Sequence, residues 1–159
     1  MSETKYCPMC EADRSFRREV VREEYEVRGE KIALEVPRLI CQMCAESMID
    51  EDFGDPTLKL YAEYRRRHKL LTPDQIRGIR ERYALSQSAF ATLLGTSPAT
   101  LARYEGGSVQ DKAYDHLLRA CDNPEYMSDL LNREGAGLSE LQRRNVTEAL
   151  GRIRQAAAV

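Results

Sequence analysis

Apolar and polar positions alternate between residues 24 and 36. Tyr25 and Val27 stand between Glu24, Glu26 and Arg28, and Ile32, Leu34 and Val36 stand between Ala33 and Glu35. A period of two predicts two strands with one face buried. Arg28-Gly29-Glu30 interrupts them as a hairpin turn, since glycine accepts φ > 0. Pro37 is expected to end the second strand before Leu39 and Ile40. Beyond residue 55 the period becomes helical. Asp55-Pro56 reads as an N-cap and a first-turn proline, predicting a helix to about Lys69. Thr72-Pro73-Asp74-Gln75 repeats the start signal, with Ile76, Ile79 and Tyr83 at helical spacing. Ala113, Leu117 and Leu118 predict another helix, ended by Asn123-Pro124. Gly135-Ala136-Gly137 reads as a flexible break. Ser139-Glu140-Leu141-Gln142 is a capping box for a last helix, whose stripe of Val146, Ala149, Leu150 and Ile153 packs on the bundle or on a second subunit.

The stretch from Ser86 to Glu105 carries the most specific helical pattern. Two short helices that cross closely need a small residue at their contact, which Ala91 supplies, and a turn tolerant of φ > 0, which Gly95 supplies. Ser97 is placed to cap the second helix and Pro98 to occupy its first position. Leu101 and Tyr104 point back toward Phe90 and Leu94. This is a helix-turn-helix, whose second helix enters the DNA major groove. Ala99, Thr100 and Arg103 are then the base-facing residues. Arg103, the one long donor among them, suits guanine O6 and N7, and its alternative is a surface pair with Glu105 or a neighbour. Gln87, Thr96 and Ser97 sit at helix starts, where amides and hydroxyls bond phosphate. The run Arg65-Arg66-Arg67-His68-Lys69 fits a solvated linker helix and a phosphate contact equally. Tyr104 reads as core.

Cys7-Pro8-Met9-Cys10 and Cys41-Gln42-Met43-Cys44 form two CxxC pairs, thirty residues apart. Each pair sets two thiolates on one knuckle, and two facing knuckles make a tetrahedral sulfur site suited to structural zinc. A rubredoxin-type iron site uses the same ligands. Disulfides are disfavoured in a reducing compartment, and a redox centre needs one CxxC opening a helix. Four thiolates leave no open position for a catalytic water. Cys121 reads as a small buried residue and His116 as a surface or core histidine.

Charge adds a division of labour. The 159 residues have a net charge of −2, but residues 1–55 hold 8 basic and 14 acidic groups, whereas residues 56–122 hold 11 and 7. With a tetrathiolate zinc the first segment reaches about −8, suiting a basic protein, while the second suits a polyanion. No apolar run approaches the roughly 20 residues of a membrane span. Met1–Lys5 leads into Tyr6 and Cys7 rather than an apolar run, so the expectation is a cytoplasmic protein with no membrane partner.

The paired knuckles on a small β unit, the linker and the helix-turn-helix together resemble the MqsA-type (YgiT-type) zinc-finger antitoxins, over roughly residues 5–132, and the DNA-binding half is similar to the Xre repressor group. That resemblance implies a toxin partner, often an RNA-cleaving one, held by the N-terminal module, and operator DNA bound by a homodimer through the C-terminal one. It implies zinc on Cys7, Cys10, Cys41 and Cys44. Many members carry Gly after each CxxC, whereas this chain carries Glu11 and Ala45, which a turn through φ > 0 would strain by about 1 kcal/mol or more.

The expected fold is α+β: a small zinc-stapled antiparallel β module, then an all-α helix-turn-helix bundle and a C-terminal helix. The expected divisions are 1–55 for the four-cysteine module, 56–71 for a linker helix, 72–132 for the Xre-like domain and 133–159 for a helical extension. The expected function is that of a type II antitoxin that neutralises a toxin and represses its own operon. The alternative is a stand-alone zinc-containing repressor. No phosphate-cradling loop, nucleophile constellation or open metal position argues for an enzyme.

Overall fold

The structure, a computed structural model, describes residues 3–157. It divides into two compact units, one ending at Tyr64 and the other beginning at Arg65.

The first unit is a four-stranded antiparallel meander in the order β1 (Glu3–Cys7), β2 (Ala12–Val27), β3 (Glu30–Cys41) and β4 (Ser47–Ile49). At the β2–β3 turn both Arg28 (φ 52°) and Gly29 (φ 81°) are left-handed, the type I′ geometry that matches strand twist. The register runs from Val27 opposite Glu30 to Phe16 opposite Cys41, so β2 is far longer than the alternation predicts. Arg17, Arg18, Glu19 and Val20 are all exposed, and a segment wet on both faces shows no period of two.

Pro37 corrects another expectation: β3 continues through it, opposite Val20. Counting alternate pairs from the turn, Pro37 falls where the backbone nitrogen faces away from β2, so no ladder bond to β2 is lost. Its carbonyl accepts from the Asp50 amide at 3.1 Å. Val36 is buried at mid-ribbon opposite Val21, and the other buried apolar side chains gather at the two ends. Phe16 and Leu39 pack with Cys7 and Cys41 at one end, and Val27 and Ile32 pack with Leu60, Tyr61 and Tyr64 at the other.

Those last three residues belong to α1 (Pro56–His68). The second unit continues with α2 (Pro73–Arg82), α3 (Gln87–Leu93), α4 (Pro98–Glu105), α5 (Lys112–Cys121), α6 (Pro124–Glu134) and α7 (Glu140–Ala157). The predicted capping boxes form: Thr72 with Gln75, and Ser139 with Gln142. Tyr83, Phe90, Leu93, Leu101, Leu118 and Met127 are buried in one core. Asn123-Pro124 ends α5 and also starts α6, with Asn123 accepting from the Glu125 amide at 2.8 Å. Ala113 lies on the exposed side of α5, not in its apolar stripe.

The expected flexible break is instead a tight 3-10 turn, Gly135–Gly137. Gly135 is buried, and a Cβ on Gly137 would stand 2.7 Å from Thr92 Cγ2, so the glycines here permit close packing. Val146, Ala149 and Leu150 are buried, with Val146 and Leu150 in the same core and Ile153 against it, so the last helix packs on its own bundle. Among the described residues no helix is long and apolar enough to cross a membrane.

Candidate metal centre and nucleic-acid interface

Strand pairing assembles the cysteine cluster. Cys7 closes β1 and Cys10 follows in the turn to β2; Cys41 closes β3 and Cys44 follows in the turn to β4. The four Sγ atoms lie within 4.8 Å of one another, with Cys7 and Cys44 at 3.5 Å. A tetrahedron with metal–sulfur bonds of about 2.3 Å sets its sulfurs about 3.8 Å apart, so this donor set can hold a metal ion and would enclose it on all sides.

The knuckles are formed by the backbone. Cys41 N donates to Glu46 O at 2.9 Å, and Ala45 N donates to Cys41 O at 2.9 Å. The Cys44 and Met43 amides, aimed at the Cys41 sulfur, lower its thiol pKa despite burial. At Cys44, exposed though its sulfur faces the cluster, the Glu46 amide acts in the same sense, yet local desolvation and the contacts with Cys10, Cys7 and Cys41 push the thiol up. Sulfurs this close repel one another once ionised, and a bound cation removes the repulsion. Glu11 (φ 50°) and Ala45 (φ 60°) both turn through the left-handed region directly after the CxxC pairs, where glycine would be unstrained.

In the helical unit α3, its turn and α4 present the second group of residues. Ala91 is fully buried, and Gly95 has φ 65°. Ser97 accepts from the Thr100 amide at 3.1 Å, and the two hydroxyls share a hydrogen bond of 2.9 Å. Thr100 is therefore half-buried and tied to the cap. Ala99 and Arg103 are exposed on one face of α4, away from buried Leu101. No hydrogen bond or ion pair among the described residues engages the Arg103 guanidinium. Thr96 is half-buried in the turn, its amide donating to Ala91 O at 3.0 Å. Gln87 opens α3, but its side-chain amide is directed inward, donating to Glu105 Oε2 at 2.9 Å.

Glu105 is not a surface partner for Arg103. It is buried and receives Arg80 in two places, Nε on Oε1 at 2.7 Å and Nη2 on Oε2 at 3.0 Å. Arg77 Nε lies 3.8 Å away. Burial raises the Glu105 pKa, but the bonds from Arg80 and Gln87 and the charges of Arg80 and Arg77 outweigh it, so the net shift is downward. The network joins α2, α3 and α4 and fixes how α4 is held. Helical spacing carries the signal for it: Glu105 falls four residues after Leu101 and Arg80 four after Ile76, which puts both charges on buried stripes.

A second network ties the start of the bundle to α5. Asp115 is buried and accepts from Leu71 N at 2.7 Å, Gln110 Nε2 at 2.9 Å and Arg119 Nε at 2.7 Å. Cys121 is buried, which pushes its thiol up to about 12, and His116 is exposed.

Comparison with curated proteins finds no match. A family model, described as the antitoxin component of a bacterial toxin-antitoxin system, MqsA, matches residues 5–131, most of the chain.

Proposed function

Because the chain belongs to the MqsA antitoxin family, we propose that it neutralises a toxin through the sheet unit and represses its own operon through the helical unit. The observation that carries the DNA half is the exposed face of α4. Arg103 stands there with no partner among the described residues, beside Ala99, while Ser97 and Pro98 set the start of the helix and Leu101 anchors its back. An Xre-like helix-turn-helix uses such a face to read base edges, with Thr96, Ser97 and the α3 start near phosphates. Gln87 serves this surface through its backbone amide and by holding Glu105. Two copies, as a homodimer, would set their reading helices about 34 Å apart on a palindromic duplex.

The metal on Cys7, Cys10, Cys41 and Cys44 is structural zinc. When bound it supplies cross-linking of the two knuckles and no catalysis, because four sulfurs fill its coordination. The thiolates stay reduced in the cytoplasm. The acidic sheet unit suits a toxin that must be basic where it holds RNA.

The test is a gel shift on the chain's own promoter, with and without the product of the adjacent gene. Arg103→Ala should weaken specific binding by about 1–3 kcal/mol and leave random-sequence binding nearly unchanged. Equal losses on both would mean that Arg103 meets only phosphate. Operator binding with no interaction with the neighbour's product would point to a stand-alone repressor.

A further inference from the structure

Large apolar side chains are conspicuously exposed at one end of the sheet unit. Met43 is 72% exposed, Met9 68% and Tyr6 58%. Each is covalently next to a cluster cysteine: Tyr6 to Cys7, Met9 to Cys10 and Met43 to Cys44. Since the four sulfurs lie within 4.8 Å of one another, Met9 and Met43, each inside a CxxC pair, stand on the two knuckles that meet there, and Tyr6 occupies the strand position just before the first knuckle. Among the described residues the core at this end is Phe16 and Leu39 with the cysteines, and these three side chains are not part of it. Beside Met43 a hollow of about 410 Å³ is lined by Asp13, Arg14, Ser15 and Gln42. Around this apolar centre Glu11, Asp13 and Glu46 are exposed, whereas the two cations, Lys5 and Arg14, are half-buried, Lys5 lying 3.5 Å from the Glu3 carboxylate and Arg14 Nη1 donating to Asp13 O at 3.3 Å.

We propose that this knuckle end, with Met9, Met43 and Tyr6 at its centre and Glu11, Asp13 and Glu46 at its rim, is the surface that seats the basic protein partner. The inference rests on the reading of the sheet unit as the toxin-binding half and names the face used. An apolar centre within a charged rim is the anatomy of a protein interface. Unbranched methionine adapts to the surface it meets. A rim whose fully exposed charges are acidic favours a basic partner and speeds encounter. Knuckles cross-linked by a metal are rigid before binding, which lowers the ordering cost of association.

The experiment uses the full zinc-loaded chain, with the purified product of the adjacent gene as probe and calorimetry and kinetic binding as readouts. Tyr6→Ser, Met9→Ser and Met43→Ser together should weaken binding about 30-fold or more, with zinc content and DNA binding retained. Val20→Ser, which removes an exposed side chain from the middle of the ribbon, should change binding less than about threefold. Glu11→Gln with Glu46→Gln should slow association and flatten its salt dependence. Should the triple variant lose zinc, Met43→Ser alone carries the test, with a loss of about fivefold expected. Binding by the triple variant within threefold of the parent, or an equal loss in Val20→Ser, overturns the assignment of this face. Absence of binding by the parent chain overturns the toxin-binding reading itself.

Discussion

Glu105→Ala is the most informative perturbation of the helical unit. It removes a buried carboxylate that takes two bonds from Arg80, at 2.7 and 3.0 Å, and one from Gln87 at 2.9 Å. The Arg80 side chain is only 12% exposed, so its charge is left with the Leu85 carbonyl at 2.8 Å and Glu81 at 3.6 Å. Breaking a buried pair from one side costs about 3–5 kcal/mol, and these remaining contacts place the expected loss near 3. Replacing both partners, as Arg80→Met with Glu105→Leu, should cost much less, because no charge is stranded. Urea unfolding followed by helical circular dichroism measures both, since the helices dominate that signal. The pH dependence has a definite sign. The folded pKa of Glu105 is depressed, so its contribution is complete above the ordinary carboxylate value of about 4 and fades as the pH falls through the folded value. The gap between parent and Glu105→Ala should therefore narrow at acid pH. A loss under about 1 kcal/mol at neutral pH, or a gap that stays constant into acid, would refute the network's role.

Cys41→Ser should release the metal and unfold the sheet unit while DNA binding by the helical unit persists, as metal analysis and gel shift would show. Glu11→Gly and Ala45→Gly each relieve a left-handed backbone costing about 1–2 kcal/mol against about 0.4–1 of added unfolded-state freedom. Each should thus stabilise modestly and slow metal loss to a competing chelator. Gly137→Ala should destabilise the bundle by about 1 kcal/mol through its contact with Thr92 Cγ2, and adding Thr92→Ser, which deletes that methyl, should restore most of it in thermal unfolding.

Local chemistry made much of the molecule legible in advance. Two CxxC pairs locate a sulfur cluster wherever strands bring them together, because a thiolate's affinity for a soft cation needs only proximity. Caps are likewise short-range: Thr72, Ser97 and Ser139 bond amides three residues away, so the start of each helix is written beside it. The hairpin turn at Arg28-Gly29 and the left-handed Gly95 follow from the same reasoning, whereas the left-handed Arg28 that makes the turn type I′ does not. The extent of β2 was not legible, since residues 17–20 are wet on both faces and held by cross-strand pairing and by ion pairs, Arg18 with Asp50 at 2.6 Å among them, rather than by a buried apolar face.

The long-range partners were equally hidden. Sequence spacing puts Glu105 on a buried stripe, but only the packing of α2 against α4 selects Arg80, 25 positions away, as its counterion. The same holds for the tail. Its apolar stripe and capping box determine a helix, whereas the close approach of Gly137 to Thr92 decides that the stripe is buried on its own bundle. Hydrogen bonds along the chain are settled within one turn of backbone, so residues alone suffice to place them. Charge pairing, close approach and burial depend on which surfaces meet, and that exists only once the chain has folded.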